Sequence, residues 1–349
     1  MIKRFRIPVL AAGHGINDLL AGYFLGCIAL QQQDALQIGL ALFVYNLLAF
    51  GGQYPVALWI EKHNNSKSFL LASYTLNVFS AAIFLFMPSA AVVLAGAASA
   101  IYHVAGGSVC AADKKASGIG YFAAPGVAGL IAGGYFAWSG YHITWILLLT
   151  AVCFLAILFL LNIPDREIQE ERNASTPSLV PDRHDIIMIL LLVIISLRSA
   201  VWNIFQVIHE NNYTWLIAIA AAACIGKILG GRIADRIGWR LYIFISLSAA
   251  TPLLTFFKNE MILFCIGIGL LQSGIPATTA MLIEAAKGKT ERGIGLAFGT
   301  AIIAGGISFM LPADFFNRSP FIPAGVIALV VLLFLLVVRK KPAVSNAGL

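Results

Sequence analysis

Two stretches of similar sequence decide the fold: Ala111-Ala-Asp-Lys-Lys-Ala-Ser-Gly-Ile-Gly120 and Ala285-Ala-Lys-Gly-Lys-Thr-Glu-Arg-Gly-Ile-Gly295. In each, an apolar run ends in a basic loop and a glycine-rich apolar run follows. A second pair repeats at the same offset: Ala57-Leu-Trp-Ile-Glu-Lys-His-Asn64 and Gly231-Arg-Ile-Ala-Asp-Arg-Ile-Gly238. Two matches at one offset predict an internal repeat, in which both halves of the chain fold in the same way.

The composition is that of an integral membrane protein. Of the 349 residues, 60% are hydrophobic and 11% are charged, and the mean hydropathy is +0.87. Runs able to cross a bilayer as helices lie at 7–30, 36–60, 68–87, 89–111, 117–138, 142–163, 185–208, 213–234, 240–257, 260–286, 292–312 and 321–338. We predict an all-α polytopic membrane protein of twelve transmembrane helices in two parallel six-helix repeats. The predicted domains are an N-terminal half (1–163), a cytoplasmic linker (164–183) and a C-terminal half (184–349).

The basic residues predict the orientation. If the N-terminus is cytoplasmic and the helices alternate, most of the 23 Lys and Arg residues fall on the cytoplasmic side, whereas Lys258 and Arg318 fall opposite. Both termini are therefore expected in the cytoplasm, and the protein in the plasma (inner) membrane. This bias also explains the net charge of +7, so we expect membrane lipids as neighbours and no nucleic-acid partner. A monomer without a cleavable signal peptide is expected.

The sequence offers no motif for a cofactor. Its five cysteines stand singly in apolar runs without a CxxC or Cys/His cluster, so neither a disulfide framework nor a metal site is predicted. No GxxxxGK[ST] stretch suggests ATP hydrolysis, and no HExxH stretch suggests a metallopeptidase. An intramembrane lipid-modifying enzyme remains an alternative, although the internal repeat gives it no support.

The first apolar run contains an unusual polar group. His14, Asn17 and Asp18 follow the i, i+3, i+4 spacing that places side chains on one face of a helix. A carboxylate at membrane depth costs several kcal/mol and normally faces the protein interior or a watery cavity. Because histidine changes its charge near neutral pH, this pair is suited to carrying a proton. The alternative is a static polar contact that joins the first helix to a neighbour.

Arg198 lies near the middle of the seventh run, where its side chain cannot easily reach either membrane surface. It therefore needs an anion, for which we consider Asp18, Glu284 or the substrate. A guanidinium group binds phosphate or carboxylate in a bidentate fork, which favours an anionic substrate. The alternative is a permanent salt bridge between Arg198 and Asp18.

The stretch Gly231-x-x-x-Asp235-Arg236-x-Gly238-Trp-Arg240 resembles the signature loop of the major facilitator superfamily of transporters. The resemblance implies two halves around a central cavity, with ion pairs of this loop holding one gating state. Glu284 is expected to pair with Arg292 or Lys289. The gating residues implied are Glu61, Lys62, Asp235, Arg236, Arg240, Glu284 and Arg292.

Two further stretches are similar to the fosmidomycin-resistance-type exporters of that superfamily: His14-x-x-Asn17-Asp18 and Tyr102-His103-Val-Ala-Gly-Gly107-Ser108, in which Val104 replaces a proline. The resemblance implies that the first and fourth helices line the cavity, so His103 should lie opposite His14 and Asp18. It assigns proton coupling to Asp18, His14 and His103. The expected substrate-binding residues are Asn17, Tyr102, His103, Arg198, Asn203 and Gln272.

The predicted function is secondary active transport of a small, anionic or amphiphilic solute by alternating access, as proton-coupled efflux. Asp18, His103 and Arg198 are expected to face one cavity. In the related exporters a Gly-Pro pair ends the fifth-helix glycine motif, whereas this chain has Gly133-Gly134, which leaves the direction of transport open. An importer, a lipid translocator or a transport-dead receptor on the same fold is the alternative.

Overall fold

The described residues fold as a bundle of twelve helices. The computed structural model describes residues 6–31, 35–160, 183–208, 212–306 and 321–338. We number the helices α1 (Arg6–Gln31), α2 (Ala35–Asn46, Leu47–Gly51 and Gln53–His63), α3 (Ser66–Ile83), α4 (Pro88–Ala111), α5 (Ala116–Trp138), α6 (Ile143–Leu160), α7 (Arg183–Ile208), α8 (Tyr213–Ile237), α9 (Trp239–Phe256), α10 (Met261–Ser273 and Ile275–Ala285), α11 (Thr290–Ile294, Gly295–Thr300 and Ala301–Gly305) and α12 (Phe321–Val338). The all-helical, twelve-helix prediction is confirmed. Residues 164–182 of the predicted linker lie outside the described residues.

Three helices are interrupted. In α2, Leu47–Gly51 forms a π-helical turn, and the N–H of Gly52 donates to the carbonyls of Leu47 and Leu48 at 3.1 Å each. In α11, Gly295–Thr300 forms a second such turn. In α10 the helix breaks at Gly274, two residues before Pro276, which has no N–H to donate. Such breaks leave backbone carbonyls available for side chains of neighbouring helices.

The outer surface suits a lipid environment. Among the described residues, eight helices are long and apolar enough to cross a membrane, and Ile143–Leu155 is a shorter apolar helix. Large apolar side chains stand on the outside, including Phe86, Phe256 and Ile262, which are 83%, 73% and 77% exposed. A water-soluble protein would bury many of these groups, whereas lipid tails solvate them.

Corresponding helices of the two halves pack in the same pairs. We call α1–α6 the first half and α7–α12 the second. The α1–α5 contact corresponds to α7–α11, and α2–α4 corresponds to α8–α10. Glycines allow the closest approaches: a Cβ on Gly129 would strike the backbone of Gly15, and one on Gly226 would strike the backbone of Gly269.

The halves meet through α5–α8 and through α2–α11. The loops after α2, α4, α8 and α10 all lie at one end of the bundle, where the chain carries Lys62, Lys115, Arg236 and Lys287. We call this the basic end. It is the end that the distribution of Lys and Arg predicts to be cytoplasmic.

Candidate functional site

The polar group of α1 faces the protein interior. His14 and Asn17 are each 3% exposed, and the Asp18 side chain retains 15% of its surface. His14 Nε2 lies 3.2 Å from Asp18 Oδ2, as expected for residues one helical turn apart. Asp18 is thus the least buried of the three residues.

His103 of α4 completes this group. Its Nε2 atom lies 2.8 Å from Nε2 of His14 and 4.0 Å from Oδ1 of Asp18. The two imidazole rings meet edge to face, with their centroids 4.4 Å apart. The structure thus brings together the three residues that the sequence assigns to proton coupling.

Backbone carbonyls orient both histidine rings. His14 Nδ1 lies 2.7 Å from the carbonyl oxygen of Phe122, and His103 Nδ1 lies 2.8 Å from that of Ser99. A carbonyl oxygen only accepts hydrogen bonds, so each Nδ1 carries the donated proton. In the neutral rings the two Nε2 atoms are then both acceptors, and they face each other and the carboxylate.

Asn17 links the carboxylate to two further helices. Its Nδ2 atom donates to Asp18 Oδ1 at 2.8 Å and to Ser99 Oγ at 3.1 Å, while its Oδ1 atom accepts from Asn77 Nδ2 at 2.9 Å. We call His14, Asn17, Asp18, Asn77, Ser99 and His103 the first-half cluster. Neither Asn77 nor Ser99 is among the predicted site residues, and a serine among alanines carries no sequence signal of its own.

The α5 backbone forms one wall of the first-half cluster. The Phe122 ring stacks on the His14 ring with a centroid distance of 4.5 Å. A methyl group on Gly126 would lie 2.5 Å from Asp18 Oδ2 and 2.6 Å from His14 Nε2. Glycine is therefore required at position 126 for α5 to approach the carboxylate this closely.

Tyr102 supports the cluster from behind. It is fully buried, and its hydroxyl donates to the carbonyl of Leu10 at 2.7 Å. Its ring lies 6.2 Å from the His14 ring. In the described conformation its hydroxyl therefore joins α4 to α1.

Arg198 does not pair with Asp18, so the alternative of a permanent salt bridge between them is not found in this structure. The guanidinium group is 1% exposed; Nη1 donates to Thr278 Oγ1 at 3.0 Å and Nη2 donates to the carbonyl of Leu271. The physical reason is the break in α10, which presents a free carbonyl and a hydroxyl to the neighbouring α7. The Nε atom of Arg198 and Oγ1 of Thr279 are buried without a partner.

Lys227 is a cation of the second half that acts electrostatically on the first-half cluster. This half-buried residue of α8 lies within electrostatic range of both Asp18 and His103.

Two other predicted substrate-binding residues belong to the second half. Asn203 of α7 is 7% exposed, and its Nδ2 donates to the carbonyl of Gly305 in α11 at 3.3 Å. Gln272 is 3% exposed and lies in the last turn before the α10 break. Neither joins the first-half cluster, so the predicted residues form two groups.

At the basic end, Glu61 joins the two halves. It forms ion pairs with Lys289 at 3.0 Å and with Arg292 at 3.0 Å, the latter through two guanidinium nitrogens. The predicted pairing of Arg292 or Lys289 with Glu284 is therefore wrong. Glu284 is exposed and lines a cleft with Trp239 and Arg240, on another side of α10.

A second contact between the halves involves Asp235. Its two carboxylate oxygens accept from the backbone N–H groups of Ala116 and Ser117 at 2.9 and 3.0 Å, and Trp239 Nε1 donates to it at 2.9 Å. The carboxylate thus caps the N-terminus of α5, where the helix dipole is positive. Lys62, Arg236 and Arg240 are exposed around these two contacts.

Within the ranges that the structure describes, one group of three could hold a metal ion: His14, Asp18 and His103, whose ligand atoms all lie within 4.8 Å of one another. The sequence predicted no metal site, because these residues come from two helices and match no short ligand motif.

A twelve-helix bundle with charged side chains at its centre and ion pairs across one end defines a class of polytopic membrane transporter. A family model described as Major Facilitator Superfamily matches residues 9–309, and the chain belongs to this superfamily. It is a secondary transporter of this fold rather than an enzyme. No match was found among the curated proteins compared with the chain.

Solved structures of two transporters are similar in fold. The E. coli fucose:proton symporter FucP is 12% identical, with a TM-score of 0.70 over 96% of this chain and 98% of that one. FucP in the outward conformation gives 13% identity and a TM-score of 0.68, over 93% and 99% of the chains. A bacterial homologue of the iron transporter ferroportin in the outward-facing state is 13% identical, with a TM-score of 0.66 over 96% of this chain and 100% of that one. At these identities the likeness extends to the fold alone.

Proposed function

We propose that this transporter couples proton movement to the efflux of a small, anionic or amphiphilic solute by alternating access. The observation that carries the proposal is the convergence of His14 Nε2, His103 Nε2 and Asp18 Oδ2 in the first-half cluster. All three atoms are hydrogen-bond acceptors once each Nδ1 donates to a carbonyl. Acceptors repel one another at these distances unless a cation lies between them, and the smallest such cation is a proton.

The contacts between the halves support alternating access. The Glu61 ion pairs and the Asp235 cap hold the basic end together, and both are exposed enough to break in water. A partly exposed ion pair contributes about 0–1 kcal/mol, so opening this end requires little energy. We assign gating to Glu61, Asp235 and Arg292, with Lys62, Arg236, Arg240 and Glu284 around them.

The second half offers positive charge to the solute. Arg198 carries a buried guanidinium group whose Nε–H has no partner, and among the described residues it forms no ion pair with a carboxylate. A carboxylate or phosphonate would supply the missing acceptor. We assign solute binding to Arg198, Asn203 and Gln272 on this side, and to Asn17, Tyr102 and His103 on the other.

The subgroup within the superfamily and the membrane location of the protein are also proposals. The His14-x-x-Asn17-Asp18 stretch, together with Tyr102-His103, supports kinship with the fosmidomycin-resistance-type exporters. The Lys and Arg bias supports a plasma (inner) membrane location with both termini cytoplasmic. The expected partners are the solute, protons and membrane lipids, and the protein is expected to act as a monomer.

The test begins with a solute. A thermal-shift screen of the purified full-length protein against phosphonates, carboxylates, metallophores and drugs identifies one, because a ligand at 100 times its Kd stabilises the folded state by about 2.7 kcal/mol. In proteoliposomes, a gradient of that solute should then move protons, as read by a trapped pH-sensitive dye.

Asp18→Asn should still bind the solute but should abolish the coupled proton signal. Asp113→Asn, which neutralises an exposed carboxylate outside the cluster, should leave the signal unchanged. Undiminished proton coupling in Asp18→Asn would overturn the proposal.

Import is the second candidate, because α5 continues through Gly133 and Gly134 without a Gly-Pro pair. The same vesicles separate the two directions. Solute and protons moving the same way indicate symport, whereas opposite movement indicates the proposed antiport.

A further inference from the structure

We propose that His14, Asp18 and His103 form a binding site for a divalent first-row transition-metal ion, which takes the place of the proton. This inference rests on the proposed function, because it names a second cation carried by the site assigned there to the proton. The binding itself is measurable without any transport assay.

The separations of the three ligand atoms fit such an ion. An ion bound tetrahedrally by nitrogen and oxygen ligands at about 2.0–2.1 Å holds those ligands about 3.3 Å apart. Here His14 Nε2 lies 2.8 Å from His103 Nε2 and 3.2 Å from Asp18 Oδ2, and the His103–Asp18 contact is 4.0 Å. The 4.0 Å contact is to Oδ1, so the Asp18 carboxylate must rotate to bring Oδ2 toward His103; before that rotation the ligand atoms all lie within 4.8 Å of one another.

The hydrogen-bond partners of the three ligating side chains are of the kind found in metal sites. A metal-bound histidine normally donates its other ring N–H to a carbonyl or carboxylate, which fixes the ring and directs the free nitrogen at the ion. His14 does this through the carbonyl of Phe122, and His103 through that of Ser99. Asn17 holds Asp18 Oδ1, so Oδ2 is left for the ion.

The ligand set selects the class of metal. Two imidazoles and one carboxylate suit Mn²⁺, Fe²⁺, Co²⁺ and Zn²⁺, whereas Mg²⁺ and Ca²⁺ prefer oxygen ligands alone. Three protein ligands leave at least one coordination position free. The Asp18 side chain, at 15% exposure, is the most exposed of the three ligands.

Lys227 tunes the affinity of the site. Its ammonium group lies within electrostatic range of Asp18 and His103 and opposes a divalent cation there. Lys227→Met removes this repulsion and retains most of the side-chain length, so it should tighten metal binding. A purely structural polar contact between α1 and α4 would give no such response.

The experiment titrates Co²⁺ into the tag-free, chelator-stripped full-length protein in lipid nanodiscs and follows the visible ligand-field band. We expect one ion per chain, displaced by Zn²⁺. Loss of a hydrogen-bond partner of a metal ligand lowers metal affinity roughly 10–100-fold. Asp18→Asn and His103→Gln remove the ligands themselves, so each should lower the affinity at least about 100-fold. His142→Gln is the matched control, because His142 is exposed and lies outside the cluster.

Absence of a saturable band, or equal affinity in wild type, Asp18→Asn and His103→Gln, would overturn the inference. Variants that keep a cooperative thermal unfolding transition and elute as a monodisperse species are folded. Loss of the band in such variants therefore reports loss of metal binding. Proton coupling that persists in chelator-treated vesicles while Co²⁺ does not bind would refute the metal site and leave the proposed function intact. Saturable Co²⁺ binding without coupled proton movement would support the metal site and refute the proposed function.

Discussion

The first helices of the two halves carry charged groups of opposite character. In α1, two histidines and a carboxylate present acceptors to one point, and Asp18 retains 15% exposure. In α7, Arg198 presents donors to a hydroxyl and a carbonyl of α10, and it is 1% exposed. One site offers hydrogen-bond acceptors and is partly exposed, whereas the other offers donors and is buried, so the two sites suit groups of opposite charge.

The largest effect is expected at the sealed site. Arg198→Ala leaves a cavity and removes the donors to Leu271 and Thr278, which should lower the free energy of unfolding by about 2–5 kcal/mol. Arg198→Met fills the space and should cost about 1–3 kcal/mol. Thermal unfolding in detergent measures both variants.

The Arg198→Met variant also tests the comparison. It should lose solute binding in the thermal-shift assay and keep proton or metal binding at α1. Loss of both would mean that the two sites are one, whereas unchanged solute binding would make Arg198 purely structural.

The next effect is expected in the wall of the first-half cluster. Gly126→Ala forces a methyl group to within 2.5 Å of Asp18 Oδ2, and such overpacking costs roughly 1–3 kcal/mol. Proton coupling in vesicles should fall, because the displaced carboxylate no longer meets the two histidines. Gly134→Ala on the same helix is the control, because its nearest neighbour would be 4.0 Å away. Equal effects of the two substitutions would show that α5 does not position the carboxylate.

Asn17→Ala should have a smaller, graded effect. It removes the donor to Asp18 Oδ1 and strands the amide of Asn77, at a cost of about 1–3 kcal/mol in stability. Asn77→Ala removes only the hydrogen bond from Asn77 to Asn17 and should weaken proton coupling less. Vesicle proton fluxes of the two variants rank them, and the reverse order would contradict the proposed role of Asn17.

The smallest effect is expected at the basic end. Glu61→Gln removes ion pairs whose side chains are 25–47% exposed, so the change in stability should stay within about 1 kcal/mol. The distribution of conformations should respond more than the stability. Spectroscopic distances between probes on the exposed positions Lys62 and Lys287 should lengthen, and unchanged distances would remove Glu61 from the gate.

The sequence predicted part of the site for clear physical reasons. Helical periodicity alone places His14, Asn17 and Asp18 on one face, and the resemblance to exporters added His103 from α4. The partner of Arg292 and Lys289 was mispredicted as Glu284, and the α10 partners of Arg198 were not predicted, because these contacts depend on the rotation of whole helices and on the break at Gly274. The roles of Ser99 and of the Phe122 carbonyl lay beyond the sequence, since backbone acceptors have no signature.

The central claim is that the first-half cluster holds a cation between histidines whose Nδ1 atoms are protonated. Nitrogen-15 NMR of ring-labelled protein, with His14→Gln and His103→Gln to assign the signals, reads this directly. We predict protonated Nδ1 on both rings, with the two Nε2 atoms sharing one proton. Neutral rings that carry their protons on Nε2, with Nδ1 bare, would contradict it.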